Sequence, residues 1–257
     1  MTDNNGKAEF PCLEVQGISK RFGGIQALDD ASLTVFPREI VGLVGANGAG
    51  KSTLVNILAG VTRADEGRVL VDNAPVEIND PIDARRLGIE IVYQNLALIE
   101  TLDISSNIHL GRELVQRPRL FQWLNESNMQ AQARELLSGI GLDLNPKLRV
   151  RNLSGGQRQA VALARAIFFQ AKIVLLDEPT AALGIAETQA TLEIIEQFRD
   201  HGLGVMVVSH NLEDIFRITD RIVVMRAGRV VGVRTTAETT SAEIVNLITM
   251  GAAKETI

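Results

Sequence analysis

The sequence is poor in the features that mark several common classes of protein. Cysteine occurs once, at Cys12, so the chain has no partner for an internal disulfide and no cysteine spacing that suits a metal. No apolar run approaches the ~18 to 20 residues of a membrane-spanning helix, and residues 1–10 lack the apolar core of a signal peptide. We therefore expect an intracellular protein that, at any membrane, depends on the helices of other subunits.

Excess positive charge is missing as well. The net charge is −5 at pH 7 and the isoelectric point is near 5.4. Such an acidic balance argues against a surface that neutralises phosphate backbones, so nucleic acid is not an expected partner. Internal repeats and low-complexity segments are also absent from the sequence.

What remains is the composition of an ordinary globular protein. Apolar residues make up 46% of the 257 residues and charged residues 22%, which is enough aliphatic material for a substantial core.

Short aliphatic runs separated by glycine predict early strands at residues 13–18, 33–36, 40–44, 68–71 and 89–93. Between residues 96 and 151 the spacing is helical, with Asn125 and Gly141 as the start and end of one helix.

Strand and helix alternate in the second half of the chain. The pattern predicts helices from Gly155, over 187–199, from Leu212 and over 242–248, and strands at 173–176, 204–208, 222–225 and 230–233. This alternation indicates an α/β protein with a mostly parallel, buried central sheet and one helical insertion.

A phosphate-binding loop follows the predicted strand at 40–44. Its residues are Gly45, Ala46, Asn47, Gly48, Ala49, Gly50, Lys51 and Ser52, and Thr53 opens a predicted helix. In such a loop the glycines let backbone N–H groups face phosphate oxygens, Lys51 reaches the outer phosphates, and the Ser52 hydroxyl faces Mg²⁺. The alternative is a turn that only links strand to helix, but the strand before and the helix after favour nucleotide binding.

Two carboxylates end the apolar strand at residues 173–176. Asp177 would hold Mg²⁺, and Glu178 would polarise the attacking water, if this strand ends at the same sheet edge as the phosphate-binding loop. A strand that ends in a solvated turn is the alternative, and the presence of the loop makes it less favoured.

A second glycine-rich helix start lies just upstream of this strand. Leu153 is followed by Ser154, Gly155, Gly156 and Gln157. By physical chemistry alone these residues could form an ordinary N-cap or a second anion-binding helix N-terminus. The complete pentapeptide, however, resembles the signature of the ABC ATPases, and its position before Asp177 is that of the family.

The resemblance to ABC ATPases extends over nearly the whole chain. It includes Phe22 within Lys-Arg-Phe-Gly-Gly, Gln94 after Ile-Val-Tyr, and His210 after Val-Val-Ser. It implies that Phe22 stacks on adenine, although a core phenylalanine is the alternative. It also implies that Gln94 contacts Mg²⁺ and the attacking water, and that His210 senses the γ-phosphate. His109 and His201 match no motif, and we expect both to be solvated.

The family likeness also implies an architecture. We expect a single ABC ATPase domain over residues 1–257, in which 1–95 and 152–257 form a P-loop core with an N-terminal antiparallel β subdomain. Residues 96–151 form an inserted α-helical subdomain that leads into the signature helix. Two copies would close head to tail as a homodimer, so that Ser154, Gly155, Gly156 and Gln157 of one copy contact ATP bound at Lys51 of the other.

Within the family, several segments look like the ATPases of ribose-, xylose- and fructose-type sugar importers. They are residues 93–98, 107–113, 120–124 and 248–252. The likeness is greatest to single-domain fructose import subunits, and it implies a transmembrane permease, a periplasmic sugar-binding protein and a place at the cytoplasmic face of the inner membrane. The alternative is a soluble ABC ATPase that acts on a ribosome or on DNA.

One residue departs from the family pattern. Gly184 stands where the family usually has an aspartate that helps to link the two ATP sites, so this loop could act through main-chain contacts.

The apolar segment at residues 96–99 has two interpretations. It could form a groove for a helix of the membrane subunit, or it could belong to the core of the helical subdomain.

Overall fold

The computed structural model describes residues 10–116, 123–169 and 171–251. The predicted likenesses at residues 120–122 and 252 therefore lie outside the described residues. The strands are β1 (Leu13–Phe22), β2 (Ile25–Val35), β3 (Ile40–Gly45), β4 (Glu66–Val71), β5 (Ala74–Val76), β6 (Ile89–Val92), β7 (Val115–Gln116), β8 (Trp123–Leu124), β9 (Ile173–Asp177), β10 (Gly204–Val208), β11 (Arg221–Arg226) and β12 (Arg229–Thr235).

The helices follow the same chain order. They are α1 (Lys51–Leu58), α2 (Pro81–Arg86), α3 (Ile104–Ile108), α4 (Glu126–Gly139), α5 (Gly155–Phe168), α6 (Ile185–Asp200), α7 (Leu212–Ile218) and α8 (Ser241–Met250), with short 3₁₀ turns at Val150–Asn152 and Thr236–Glu238. Within the described residues, no helix has the length and apolar character needed to cross a membrane.

The described chain divides into two compact units. The first contains residues 10–94, 171–179 and 198–251, and the second contains residues 95–169 and 180–197 apart from the gap at 117–122. The second unit thus includes α5 and most of α6 besides the predicted helical segment 96–151, because α5 packs on α3 and α4. The domain boundaries inferred from the sequence stay a prediction.

A six-stranded sheet dominates the first unit, in the order β12-β11-β3-β10-β9-β6. All neighbours in it pair parallel except β11 and β12, which form an antiparallel hairpin. The strands β9, apart from its last residue Asp177, and β10 are apolar and buried, as expected for parallel strands covered on both faces. The predicted α/β fold with a mostly parallel central sheet is confirmed.

An antiparallel sheet in the order β2-β1-β4-β5 accompanies it, as the family likeness implies. The strand β2 is longer than the predicted run at 33–36, because β1 and β2 form one hairpin that closes with Phe22 opposite Ile25. The buried side chains of this antiparallel sheet belong to the same hydrophobic core as those of β3, β9 and β10. They include Leu13, Val15 and Leu33.

The second unit has its own core, built on α3, α4 and α5. Its buried members are Ile104, Ile108, Ala133, Leu137, Ile140, Val150, Leu153, Val161 and Ala164. The predicted limits of α4 are confirmed: the Asn125 side chain accepts a hydrogen bond from the Asn128 N–H, and Gly141, with φ 75°, follows the C-cap residue Ile140.

The expectation that His109 is solvated is wrong. His109 is fully buried, its Nδ1 lies 2.8 Å from the Ser105 carbonyl oxygen, and its ring centroid is 4.4 Å from that of Phe168. Burial of an imidazole costs little when its nitrogens keep polar partners. His109 is therefore part of the second core, whereas His201 is exposed as expected.

Candidate functional site

Four neighbouring strands of the six-stranded sheet end at one edge and carry the predicted site residues. The phosphate-binding loop follows β3, His210 follows β10, Asp177 ends β9, and Gln94 follows β6. The strands are parallel and in register, since Val208 of β10 lies opposite both Leu43 and Asp177. Carboxyl ends of parallel strands meet at the same edge, which is where α/β sheets bind ligands.

The loop after β3 leads directly into α1. Its cap residue, Gly50, has φ 102°, and a Cβ there would lie 2.6 Å from the Ala27 carbonyl oxygen, so only glycine fits without strain. No side chain caps α1, and no acidic residue lies in its first turn. The first N–H groups of a helix have no partner within the helix, so this N-terminus suits an anion such as a phosphate.

A cavity of about 470 Å³ lies at this helix start. Its lining includes the predicted nucleotide-binding residues Asn47, Gly48, Ala49, Gly50, Lys51, Ser52 and Thr53, together with Gln94, Asp177 and Glu178. The volume is within the range of ~300 to 1,000 Å³ that is typical of ligand sites. Residues from three separated parts of the chain thus meet in one place.

A larger cavity, of about 650 Å³, is lined by Arg21, Asp29 and Asp65 among others. Two of its carboxylates already have partners within the protein: Asp65 pairs with Lys20 and accepts the Arg21 N–H, and Asp29 pairs with Arg229. The smaller cavity, with its open helix N-terminus, is the better candidate for binding a nucleotide.

Lys51 is the buried cation of the smaller cavity. Its Nζ donates to the carbonyl oxygens of Gly45 at 2.7 Å and Ala46 at 3.1 Å, which fixes the ammonium group beside the loop. Burial lowers the pKa of Lys51, and the negative charges of Glu178 and Asp177 oppose that shift. An ammonium group has three protons, so one remains for a further acceptor such as a phosphate oxygen.

Asp177 and Glu178 differ in their surroundings. The pKa of Asp177 is raised, first by burial and then by the neighbouring charge of Glu178, while Lys51 acts in the opposite direction. Glu178 is turned toward His210, whose Nδ1 lies 2.8 Å from Glu178 Oε2. The His210 side chain is 73% exposed and that of Glu178 only 18%, so His210 is the solvent-facing member of the pair.

The backbone of Glu178 is strained. It has φ 52°, a left-handed conformation that residues with a Cβ rarely adopt, and its N–H donates to the Val208 carbonyl oxygen at 2.9 Å. Strain of this kind costs about 1 to 3 kcal/mol and is found most often where function requires a defined side-chain direction. The hydrogen bond to the end of β10 holds this conformation, and an outlier here supports a functional role for the carboxylate.

The structure does not place Phe22 in the lining of this cavity. Phe22 is half exposed at the end of β1, and the Nζ of Lys20 lies 5.5 Å from its ring centroid. The hairpin instead contributes Ile25, Gln26 and Ala27 to the cavity. Stacking of Phe22 on adenine stays a prediction.

The predicted signature residues lie in the second unit, at the start of α5. The Ser154 hydroxyl oxygen accepts the Gln157 N–H at 3.2 Å, and the Gln157 side chain accepts the Ser154 N–H at 3.0 Å, which is a complete capping box. Gly155 and Gly156 are the first two residues of the helix. Their contact with ATP from a second copy stays a prediction.

Glu187, in the first turn of α6, is a residue of this region that the sequence motifs did not identify. Its carboxylate accepts N–H groups from both Gly156 and Gly184. The spacing Gly184 to Glu187 is that of a helix start in which a glutamate reaches back to the cap residue, so a signal for part of this contact was present. The contact with Gly156, 31 residues earlier, has no sequence signal.

The apolar run at residues 96–99 contributes partly to the second core. Leu98 packs against that core, and the buried Asn107 side chain bonds both the N–H and the carbonyl of Ile99. Ile99 itself is 41% exposed. The core interpretation therefore holds for Leu98, and docking of a membrane subunit stays a prediction.

Comparison with known proteins gives a family match. The model of the ABC transporter family matches residues 28–181, which include the phosphate-binding loop, the signature and the two carboxylates. The match covers more than half of the chain.

Curated relatives include three import ATP-binding proteins. The fructose import ATP-binding protein of Rhizobium meliloti is 43% identical over 86% of this chain and 87% of its own length. The xylose/arabinose import ATP-binding protein of Sulfolobus acidocaldarius is 42% identical over 92% of this chain and 93% of its own. A ribose import ATP-binding protein of Rubrobacter xylanophilus is 42% identical over 93% of this chain, which spans only 47% of that relative.

Solved structures agree with this fold. An ATP-binding cassette of an ABC transporter is 26% identical, with a TM-score of 0.80, over 93% of this chain and 95% of its own. A dimeric cassette in a post-hydrolysis state with ADP and Pi is 27% identical, with a TM-score of 0.72, over 87% of this chain and 98% of its own.

Proposed function

The chain belongs to the ABC transporter family and is an ATPase, and on this premise we propose that its ATP hydrolysis drives import of a sugar through separate membrane subunits. The observation that carries the hydrolytic part is the meeting of Lys51, Asp177 and Glu178 in one cavity, with His210 bonded to Glu178. The sugar import part is supported by the relatives named above.

In this proposal each residue of the cavity has a distinct role. The open N-terminus of α1 and the Lys51 ammonium hold the phosphates. Glu178 orients the attacking water and accepts its proton, and His210, whose Nδ1 lies 2.8 Å from Glu178 Oε2, senses the γ-phosphate. Gln94 lies in the same lining, and its proposed role is to contact that water and Mg²⁺.

A magnesium ion fits the donors that line the cavity. Ser52, Gln94 and Asp177 all offer oxygen atoms, which Mg²⁺ prefers. In nucleotide sites Mg²⁺ is usually bound through one or two protein oxygens together with substrate phosphates and water. When bound, Mg²⁺ would neutralise charge that develops on the phosphates.

We further propose a homodimer in which the start of α5 of one copy covers ATP bound at Lys51 of the other. Support comes from the likeness to a cassette solved as a dimer, and from the fact that the chain has both a phosphate-binding loop and a signature, so that each copy can supply what the other needs. Hydrolysis would then require closure of the two copies, and closure is a motion that membrane subunits can use.

Fructose is the proposed sugar, because the fructose import relative is 43% identical, against 42% for the ribose and xylose/arabinose import relatives, although the xylose/arabinose relative matches a larger share of both chains. The test is uptake of radiolabelled fructose, ribose and xylose by cells of the source organism with and without the gene. We expect loss of fructose uptake, restored by the wild-type gene and not by Glu178→Gln. Loss of another sugar alone would reject fructose, and unchanged uptake of all three would contradict the importer role.

A further inference from the structure

Glu187 joins the starts of two helices within the second unit. Its Oε1 accepts the Gly156 N–H of α5 at 3.3 Å, and its Oε2 accepts the N–H of Gly184, the residue before α6, at 3.2 Å. One carboxylate therefore bonds the signature and the loop in which Gly184 replaces the expected aspartate.

The packing at Gly156 shows how closely this carboxylate approaches. A Cβ at Gly156 would lie 2.8 Å from Glu187 Cγ and 3.0 Å from Glu187 Cβ, closer than such atoms normally come. The same addition at Gly155 would meet only a Leu183 methyl group, at 3.6 Å. Of the two signature glycines, Gly156 is thus the one whose missing side chain makes room for Glu187.

Electrostatics favour the ionised carboxylate at this position. The N–H groups of Gly184 and Gly156 hold the pKa of Glu187 below its usual value. A negative charge at a helix N-terminus is also stabilised by the helix dipole. The start of α5 therefore already has an anion that belongs to the protein itself.

We propose that Glu187 competes with the terminal phosphate of ATP for the start of α5, and that this phosphate must displace the carboxylate when two copies close. The inference rests on the proposed homodimer, in which the ATP belongs to the partner subunit. Two anions at one helix start repel each other, and the Gly156 N–H cannot make a short, well-aligned hydrogen bond to both the carboxylate and a phosphate.

Displacement would have a second effect, because the same carboxylate holds Gly184. Release of the Gly184 N–H frees the loop before α6, so engagement of ATP at the signature is linked to a change in that loop. In this chain the link would depend on Glu187, which lies three residues beyond the position where the family usually has its aspartate.

The test compares Glu187→Gln with Glu193→Gln, both in a Glu178→Gln background that retains ATP. Glu193 is an exposed glutamate on the same helix, so the two variants change the net charge equally. The readout is the ATP concentration that gives half-maximal dimerisation, measured by sedimentation. We expect Glu187→Gln to lower it about two- to fivefold, as expected for one carboxylate at a helix N-terminus, and Glu193→Gln to leave it unchanged.

The outcomes separate the inference from the function on which it rests. If the Glu178→Gln protein does not dimerise with ATP, the homodimer proposal fails and the inference fails with it. If it dimerises and Glu187→Gln leaves the midpoint unchanged or raises it, the competition alone is overturned.

A second experiment tests the contact without ATP. Gly156→Ala should lower the melting temperature in the wild-type background, because the new Cβ meets Glu187, and should lower it much less in a Glu187→Ala background. An equal loss in both backgrounds would show that Glu187 does not pack against Gly156, and would overturn the inference.

Discussion

Two glycine-rich helix starts in this chain, those of α1 and α5, are alike in sequence and different in structure. The start of α1 is capped by Gly50 with left-handed backbone, has no side-chain cap and faces a cavity. The start of α5 has a complete capping box between Ser154 and Gln157 and holds the Glu187 carboxylate. The first is open to a ligand, whereas in the second the Gly156 and Gln157 N–H groups already have acceptors in the same chain.

The difference indicates how the two starts would meet ATP. A phosphate at α1 gains N–H donors that no side chain caps, so binding there needs no internal exchange. A phosphate at α5 has to replace hydrogen bonds that already exist, so its net gain is smaller. We therefore expect ATP to bind first at α1 and to engage α5 only on closure.

The largest expected effect comes from removal of the Glu178 carboxylate in the cavity at the start of α1. Glu178→Gln should reduce ATP hydrolysis by about 10²- to 10⁴-fold, because the amide cannot accept the proton of the attacking water. ATP binding, measured by a fluorescent nucleotide analogue, should persist. Glu193→Gln is the matched control, and full turnover by the Glu178 variant would reject its role as the base.

A smaller effect, on stability, is expected when a glycine at each of the two helix starts is replaced by alanine. Gly50→Ala should lower the free energy of unfolding by about 1 to 3 kcal/mol, because the backbone is left-handed and the new Cβ meets the Ala27 carbonyl oxygen. Gly155→Ala should change it by less than about 1 kcal/mol, since its Cβ meets only ordinary contacts. Urea denaturation measures both, and equal losses would contradict the structural difference between the starts.

The smallest effect concerns the cap of α5. Ser154→Ala should destabilise the protein by about 1 kcal/mol through loss of the cap, and it should also weaken ATP-dependent dimerisation. Asn125→Ala removes the corresponding cap of α4 and should cost a similar stability without an effect on dimerisation. If both variants dimerise alike, Ser154 serves only as a helix cap.

The sequence predicted those parts of the site that follow from local pattern and sheet topology. The loop at 45–52 is continuous, and Asp177 and Gln94 follow apolar strands whose carboxyl ends meet in a parallel sheet. The sequence carried no signal for features that depend on packing between residues far apart in the chain. The burial of His109 against Phe168 and the contact of Glu187 with Gly156 are both of this kind.

The backbone of Glu178 illustrates the same limit. Nothing in the sequence marks residue 178 as left-handed, since glutamate has no preference for that conformation. The strain follows from the N–H bond to Val208 at the end of the neighbouring strand. The identity of the residue could be predicted, whereas its direction depends on the assembled sheet.

The most direct test of the account mixes two defective copies, both in a Glu178→Gln background. One carries Lys51→Ala, and the other carries Gly155→Asp, which adds a charge at a position with room for it. If ATP binds between the α1 start of one copy and the α5 start of the other, only the mixed dimer has an intact site. We expect ATP-dependent capture of one tagged variant by the other, with neither self-associating. Absence of ATP-dependent capture in the mixture would contradict the shared site.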